Sequence, residues 1–147
     1  MFQSTKTYGH EVGISACFRQ WTADSHCNQL HGYALSFKFT FEADALDHRN
    51  WVVDFGGLKA LKKRLEDNFD HKTVVAKDDP HLDWFKDAEH RGILDLNIVE
   101  KIGCEAFAEM AFDLATEVLE LQGFAPRCRV VEVEVREHGA NSAVYKA

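Results

Sequence analysis

Apolar and polar side chains alternate without interruption over residues 34–43. The apolar positions of this run are Leu35, Phe37, Phe39 and Phe41. Because successive side chains of a β-strand point to opposite faces, the run predicts a strand with one face on a core. Residues 7–18 are predicted to form its antiparallel partner, and Gly9 and Gly13 indicate a bulge in that partner. The polar stretch 19–30 is predicted to be the connecting loop.

Two later stretches have the spacing of amphipathic helices. In the first, Asp54 is a good N-cap residue, and apolar side chains follow at helical intervals. These apolar positions are Leu58, Leu61, Leu65 and Phe69. A second helix is predicted over 103–122, ending at Gly123, a residue type that commonly terminates helices. Its predicted buried stripe consists of Phe107, Ala111, Leu114, Val118 and Leu121.

The C-terminal part returns to strand patterns. Valines alternate with charged residues over 131–136, and a turn at 139–141 precedes a predicted last strand at 142–146. The segment 78–98 is irregular, with a short helix at 82–86 and a short strand at 93–99. This order predicts an α+β fold, a four-stranded antiparallel sheet with two helices packed on one face. Its exposed edge strands favour a homo-oligomer.

Composition limits the classes of partner. A chain of 147 residues fits one domain over 1–147, and its 46% apolar content with 11 Phe excludes a disordered chain. The net charge of −7 and the absence of a lysine or arginine cluster argue against a nucleic-acid partner. No apolar run reaches the ~18 residues of a membrane span, and no apolar leader follows Met1. We therefore expect a cytoplasmic protein without a membrane partner.

Cysteine and histidine residues in the polar loop are the first candidates for chemistry. The four cysteines are scattered, which favours free thiols in a reducing compartment. Cys27 lies beside His26 and four residues before His31. A thiol with a lowered pKa can act as a nucleophile or proton carrier, whereas a small apolar filler is the alternative interpretation. Cys17 and Cys128 lie in strand-like apolar stretches and are interpreted as fillers.

Three acidic positions are further candidates. Asp70 directly precedes His71, and a carboxylate beside an imidazole fixes the tautomer that a general base needs. A helix-terminal histidine favoured by the helix dipole is the alternative. Glu137 ends a predicted strand and can accept two N–H bonds from a planar heterocycle, or it is a plain surface charge. Glu105 is interpreted as an acid favoured by the helix dipole, unless the start of the second helix borders a pocket.

The ordered set of these residues resembles the 6-pyruvoyl-tetrahydropterin synthase / 6-carboxytetrahydropterin synthase family. The matching segments are 27–32 (Cys-x-x-x-His-Gly), 53–56, 69–71, Glu105, 135–137 and 143–145. The resemblance implies the tunnelling fold (T-fold), a two-helix, four-stranded unit that assembles through its sheets into a barrel. It also implies a small-molecule pterin or purine-like ligand.

The resemblance further implies a lyase that acts on 7,8-dihydroneopterin triphosphate, in tetrahydropterin or queuosine-precursor synthesis. It assigns proton transfer to Cys27 and a proton relay to Asp70 and His71. Glu137 would anchor the pterin ring, and Glu105 would be a supporting residue of the pocket.

The zinc ion of the family is held by three histidines, and this chain departs from that pattern. Phe18 stands where a histidine of the first strand is expected, and Tyr33 replaces the last histidine of a His-Gly-His sequence. His31 remains, and His26 is the nearest further candidate ligand. Because catalytic zinc needs about three protein ligands, ordinary zinc binding is doubtful. The alternative function is a catalytically silent or repurposed pterin- or purine-binding homologue without zinc.

Overall fold

The computed structural model describes residues 1–147 and contains seven β-strands and three α-helices. The strands are β1 (Phe2–Tyr8), β2 (Ile14–Phe18), β3 (His31–Ala43), β4 (Lys72–Ala76), β5 (Leu96–Val99), β6 (Cys128–His138) and β7 (Asn141–Lys146). The helices are α1 (Lys59–Phe69), α2 (Leu82–His90) and α3 (Cys104–Leu121). Single 3₁₀ turns cover His10–Val12, His26–Asn28 and Phe55–Leu58. None of the helices has the length and apolar character that a membrane crossing requires.

The strands form one mixed sheet in the order β5-β4-β2-β3-β6-β7, and β1 pairs with β3 outside this path. Strand β3 is central. Both β2 and β1 pair antiparallel with successive parts of it, and β6 pairs antiparallel with its other edge. Strand β4 is parallel to both β2 and β5. The last strand, β7, pairs antiparallel with β6.

The α+β class is confirmed, but the four-stranded antiparallel sheet predicted from the sequence is wrong in its count and its directions. Residues 7–18 do not form one bulged strand, because a 3₁₀ turn and Gly13, with φ of 78°, separate β1 from β2. Between the two long predicted helices the structure adds β4, whereas α2 and β5 correspond to the short helix predicted at 82–86 and the short strand predicted at 93–99. Strand β4 brings two parallel pairings into the sheet, one with β2 and one with β5.

The core lies between β3 and two of the helices. The four apolar side chains of the alternating run in β3 are fully buried, as predicted. The Phe37 ring lies 5.1 Å from that of Phe69 in α1, and the Phe69 ring lies 5.2 Å from that of Phe107 in α3, centroid to centroid. Helices α1 and α3 therefore pack on one face of the sheet, which is the predicted arrangement of the two helices.

The predicted helix boundaries hold with small differences. Asp54 caps the 3₁₀ turn before α1, since its Oδ1 accepts a hydrogen bond from the Gly56 N–H at 2.9 Å. Gly123, with φ of 76°, follows the end of α3 as expected. Leu121, predicted to be buried, is 72% exposed, and Leu119 is buried instead. Leu121 is the last residue of α3, so no further helical turn follows it.

Gly32 allows β2 and β3 to approach each other closely. It pairs with Cys17, and a Cβ at this position would lie 2.6 Å from the carbonyl oxygen of Ala16 in the neighbouring strand. We expect Gly32→Ala to lower the free energy of unfolding by about 1–3 kcal/mol, because backbone atoms must move apart. Urea denaturation measures this loss. Gly139→Ala is the control, since a Cβ there has no neighbour within 4 Å. Equal midpoints for the two variants would contradict the explanation.

Candidate functional site

Cys27 lies on a short 3₁₀ turn within the polar loop 19–30. The Ser25 hydroxyl oxygen accepts a hydrogen bond from the Cys27 N–H at 3.4 Å, which caps this turn. The Cys27 carbonyl oxygen accepts a hydrogen bond from the Gln20 N–H at 3.0 Å, which ties the two sides of the loop together. The thiol is exposed and free. The loop therefore holds the backbone of Cys27 while leaving its sulfur accessible.

His31 is packed against aromatic rings at the start of β3. Its ring centroid lies 5.6 Å from that of Phe18, with which it is paired in register, and 5.4 Å from that of Tyr33. His31 Nδ1 donates to the Gln29 carbonyl oxygen at 2.7 Å, because a carbonyl can only accept. This bond leaves Nε2 as the nitrogen that carries no proton when the ring is neutral.

Glu137, at the end of β6, lies beside Tyr33 and Cys104. Burial raises the pKa of the Tyr33 hydroxyl, and the negative charge of Glu137 raises it as well, with smaller contributions from Cys27 and Cys104 in their ionised form. Burial and the charges of Glu137 and Glu105 raise the pKa of the Cys104 thiol to about 12. The Cys104 thiol and the Glu137 carboxylate therefore lie close enough for the negative charge of Glu137 to disfavour the thiolate. The negative charge of Glu137 therefore acts on both the Tyr33 phenol and the Cys104 thiol.

Asp70 and His71 are in contact where α1 ends. Asp70 Oδ1 lies 3.0 Å from His71 Nδ1 and also accepts a hydrogen bond from the Ser15 N–H at 3.0 Å. The His71 N–H donates to the Ser15 carbonyl oxygen at 2.7 Å. His71 has φ of 58°, a left-handed conformation that is uncommon for a histidine. The backbone of Ser15 in β2 therefore holds both members of the pair, and the His71 side chain is 87% exposed.

Tyr33 and His71 line one open groove of about 480 Å³ along β2, β3 and β4, together with Cys17, Gly32 and Thr73. Tyr33 therefore borders both groups of candidate residues, the one around Glu137 and the pair at Asp70 and His71. Another cavity, of about 500 Å³, lies beside β1 and the residues that follow Leu46, and none of the candidate residues lines it. Glu105 is exposed in the first turn of α3.

Comparison with known proteins identifies the family of this chain. Residues 9–147 match the model of the family described as 6-pyruvoyl tetrahydropterin synthase. The chain belongs to the 6-pyruvoyl tetrahydropterin synthase family. A 6-carboxy-5,6,7,8-tetrahydropterin synthase from Aquifex aeolicus is 30% identical over 147 residues, an alignment that covers 94% of this chain and 91% of the relative. A protein of the same name from Rickettsia typhi is 37% identical over 57 residues, which are 38% of this chain and 41% of the relative.

Two solved structures share the fold of this chain. The 6-pyruvoyl tetrahydropterin synthase of Plasmodium falciparum has a TM-score of 0.66 at 13% identity, covering 97% of this chain and 96% of its own. An uncharacterized protein from Wolinella succinogenes has a TM-score of 0.79 at 19% identity, covering 99% and 97%. These similarities establish the tetrahydropterin synthase fold for this chain, including its two layers of helices and sheet.

The residues present do not fit the three-histidine zinc site that the family resemblance implies. No group of three or more His, Cys, Asp or Glu side chains lies close enough to hold a metal ion. The rings of Phe18 and Tyr33 pack beside His31, in the positions where further ligands are expected. His26 is exposed on the loop turn and forms no such group with His31.

Two residues near the site escaped the sequence analysis. Tyr33 was identified only as a missing zinc ligand, although side chains two positions apart on a strand share a face, which places it beside His31. Cys104 was not identified at all. Its sequence signal is its position directly before Glu105 at the start of a helix, but the effect of the Glu137 charge on its thiol depends on how α3 packs against β6.

Proposed function

We propose that this chain is a pterin-processing lyase acting on 7,8-dihydroneopterin triphosphate, in tetrahydropterin or queuosine-precursor synthesis. Membership of the tetrahydropterin synthase family supports the general class of reaction. The observation that carries the proposal is the contact of Asp70 with His71, held by the backbone of β2 beside the groove that Tyr33 also lines. A carboxylate that fixes an imidazole in this way is suited to proton abstraction.

The chemistry needs two proton movements. One group removes a proton from a side-chain carbon, triphosphate leaves from the neighbouring carbon, and the resulting enol is protonated again. We assign these movements to Cys27 and the relay of Asp70 and His71. Glu137 accepts hydrogen bonds from the ring N–H groups of the pterin, for which the carboxylate geometry is suited. Glu105 supports the pocket from the start of α3.

The zinc ion supplies polarisation of substrate oxygens in enzymes that bind it. Since the residues around His31 do not fit a metal here, we route no step through zinc in this chain. The elimination then depends on the acid and base side chains alone, and we expect slower turnover than zinc would allow.

The proposal includes a homo-oligomeric assembly and a cellular compartment for the protein. Strand β1 pairs only with β3, and β7 pairs only with β6, so each leaves one edge unpaired. We propose that these edges join copies of the chain into a barrel-shaped homo-oligomer. The four free cysteines fit a reducing compartment such as the cytoplasm.

A second candidate function is favoured by the rings beside His31. A catalytically silent pterin- or purine-binding homologue would keep Glu137 and the pocket while replacing zinc ligands with aromatic side chains. Phe18 and Tyr33, both packed on His31, are the specific observation in its favour.

Chelation tests both candidates. Purified protein is dialysed against EDTA, and triphosphate release from dihydroneopterin triphosphate is measured before dialysis, after it, and after addition of zinc. We expect turnover that does not change between these three samples, and elemental analysis with well under one zinc per chain. Loss of turnover on dialysis, restored by zinc, would contradict the zinc-free mechanism. No turnover in any sample, with neopterin still raising the thermal midpoint, would favour the silent homologue.

A further inference from the structure

A buried ion pair joins the loop that carries Cys27 to the insert, residues 78–98. Arg19 Nε donates to Asp79 Oδ2 at 2.9 Å, and a terminal guanidinium nitrogen of Arg19 donates to Asp79 Oδ1 at 2.8 Å. The Asp79 side chain is 1% exposed and that of Arg19 is 18% exposed. Two parallel bonds between planar groups fix their relative orientation as well as their distance.

Further bonds extend this contact into both segments. The other terminal nitrogen of Arg19 donates to the Asn28 carbonyl oxygen at 3.0 Å, directly after Cys27. On the side of the insert, Asp79 Oδ1 also accepts a hydrogen bond from the His81 N–H at 2.8 Å, next to the start of α2. Trp21 Nε1 donates to Asp78 Oδ1 at 3.3 Å. The guanidinium group of Arg19, at the start of the loop, therefore connects to Asn28 near the end of the loop and to Asp79 in the insert.

The loop has little other support. Between β2 and β3 its only regular element is the three-residue turn His26–Asn28. Gln20 bonds through its N–H to the Cys27 carbonyl oxygen and through its side chain to the Ile102 carbonyl oxygen at 3.1 Å. Ordering a backbone segment of this kind is entropically unfavourable, so contacts from outside the loop determine whether it holds one conformation.

We propose that Arg19 and Asp79 are positioning residues, through which the insert holds the Cys27 loop in its working conformation. We assign neither side chain an action on the substrate, since each of the three guanidinium nitrogens already donates a hydrogen bond to Asp79 or Asn28. The catalytic consequence rests on the proposed function, because it assumes that Cys27 transfers protons. The mechanical consequence, the order of the loop, does not rest on it.

The test uses Asp79→Asn in the full chain. This variant keeps an oxygen for the His81 N–H but removes the charge that Arg19 requires. Arg19→Lys is the second variant, since it keeps the positive charge and loses the planar fork. Glu100→Gln is the matched control, because it breaks the exposed Lys77–Glu100 pair beside the same insert. Thermal midpoints establish that each variant is folded.

Amide hydrogen exchange and steady-state kinetics are then compared. In Asp79→Asn we expect exchange at Gln20 and Gln29, whose N–H groups bond within the loop, to become about tenfold faster or more. Exchange in α3 should stay unchanged. We expect kcat to fall about tenfold to a hundredfold with KM within twofold, because a displaced group loses its reactive alignment. Arg19→Lys should give a smaller change in both measurements, and Glu100→Gln none.

Each outcome decides the proposal. Unchanged loop exchange in folded Asp79→Asn and Arg19→Lys would overturn it. Faster loop exchange with unchanged kcat would also overturn it, by leaving the pair a merely structural role. If the wild-type chain releases no triphosphate, the proposed function fails, while hydrogen exchange still decides whether the insert holds the loop. Should Asp79→Asn not fold, Arg19→Lys supplies the same comparison.

Discussion

Replacing His71 by asparagine is expected to lower the rate of triphosphate release by about 10²–10⁴-fold, the usual contribution of a positioned acid or base. Asparagine tolerates the left-handed backbone conformation that His71 adopts at φ of 58°. The backbone bond from residue 71 to Ser15 can therefore remain. The side-chain amide has no group that titrates near neutral pH, so the relay with Asp70 is lost while the local fold is kept. Steady-state measurement of triphosphate release gives the ratio of the wild-type rate to the variant rate.

The control for this variant is His90→Asn. His90 is an exposed histidine at the end of α2 and lines none of the grooves described above. We expect its variant to have the wild-type rate. Equal rates for His71→Asn and the wild type, with both proteins folded, would remove His71 from the relay. Asp70→Asn should resemble His71→Asn, because the amide can still accept from the Ser15 N–H but no longer carries the charge that stabilises a protonated imidazole.

The largest expected effect on stability belongs to Phe69→Ala. Phe69 is fully buried, and its ring lies between those of Phe37 and Phe107, which joins β3 to both packed helices. Truncation removes the buried apolar area and leaves a cavity among three elements, so we expect the free energy of unfolding to fall by about 3–5 kcal/mol. Urea denaturation at a fixed protein concentration measures this loss.

Phe2→Ala is the matched control for the core prediction. Phe2 is 48% exposed at the first position of β1, so the same chemical truncation removes far less buried area. We expect a loss of under about 1 kcal/mol. If the two variants lost the same free energy of unfolding, burial of Phe69 between Phe37 and Phe107 would add nothing to stability. That result would contradict the packing described for the core.

Local patterns of the sequence predict the elements that lie against the core. The alternation over 34–43 predicted all but the first three residues of β3, because a strand with one covered face must place every second side chain inside. The helical spacing from Leu58 to Phe69 predicted α1 for the equivalent reason at a period of 3.6 residues. Both patterns are consequences of burial on a single face. Each pattern is contained in the residues of one element, so it can be recognised without knowing what that element packs against.

The missed elements depend on partners that are distant in the chain. Strand β4 has only five residues and pairs in parallel with β2, which lies more than fifty positions earlier. A short apolar run of this kind does not by itself distinguish a buried strand from other structures. Residues 7–18 look like one bulged strand in the sequence, whereas the 3₁₀ turn His10–Val12 and Gly13 divide them between β1 and β2, which both pair with β3.

The candidate site divides in the same way. The adjacency of Asp70 and His71, the Cys27 loop, Glu137 and the replacement of histidines by Phe18 and Tyr33 are all written in the sequence. These residue types, together with the family resemblance that they carry, lead to the pterin-lyase hypothesis without a structure. The contact between Asp70 and His71 did need more, because neighbouring residues usually point apart, and the bonds to Ser15 hold them together.

The sequence by itself determined the α+β class, the central strand, the two packed helices and the residue types of the site, since each depends on short-range periodicity or on a local motif. Only the tertiary structure decided the mixed sheet, the effect of the Glu137 charge on Tyr33 and Cys104, and the bond from Arg19 to Asp79 across 60 positions. Such contacts are formed by side chains that meet only after the strands have paired, so no local pattern in the chain records them.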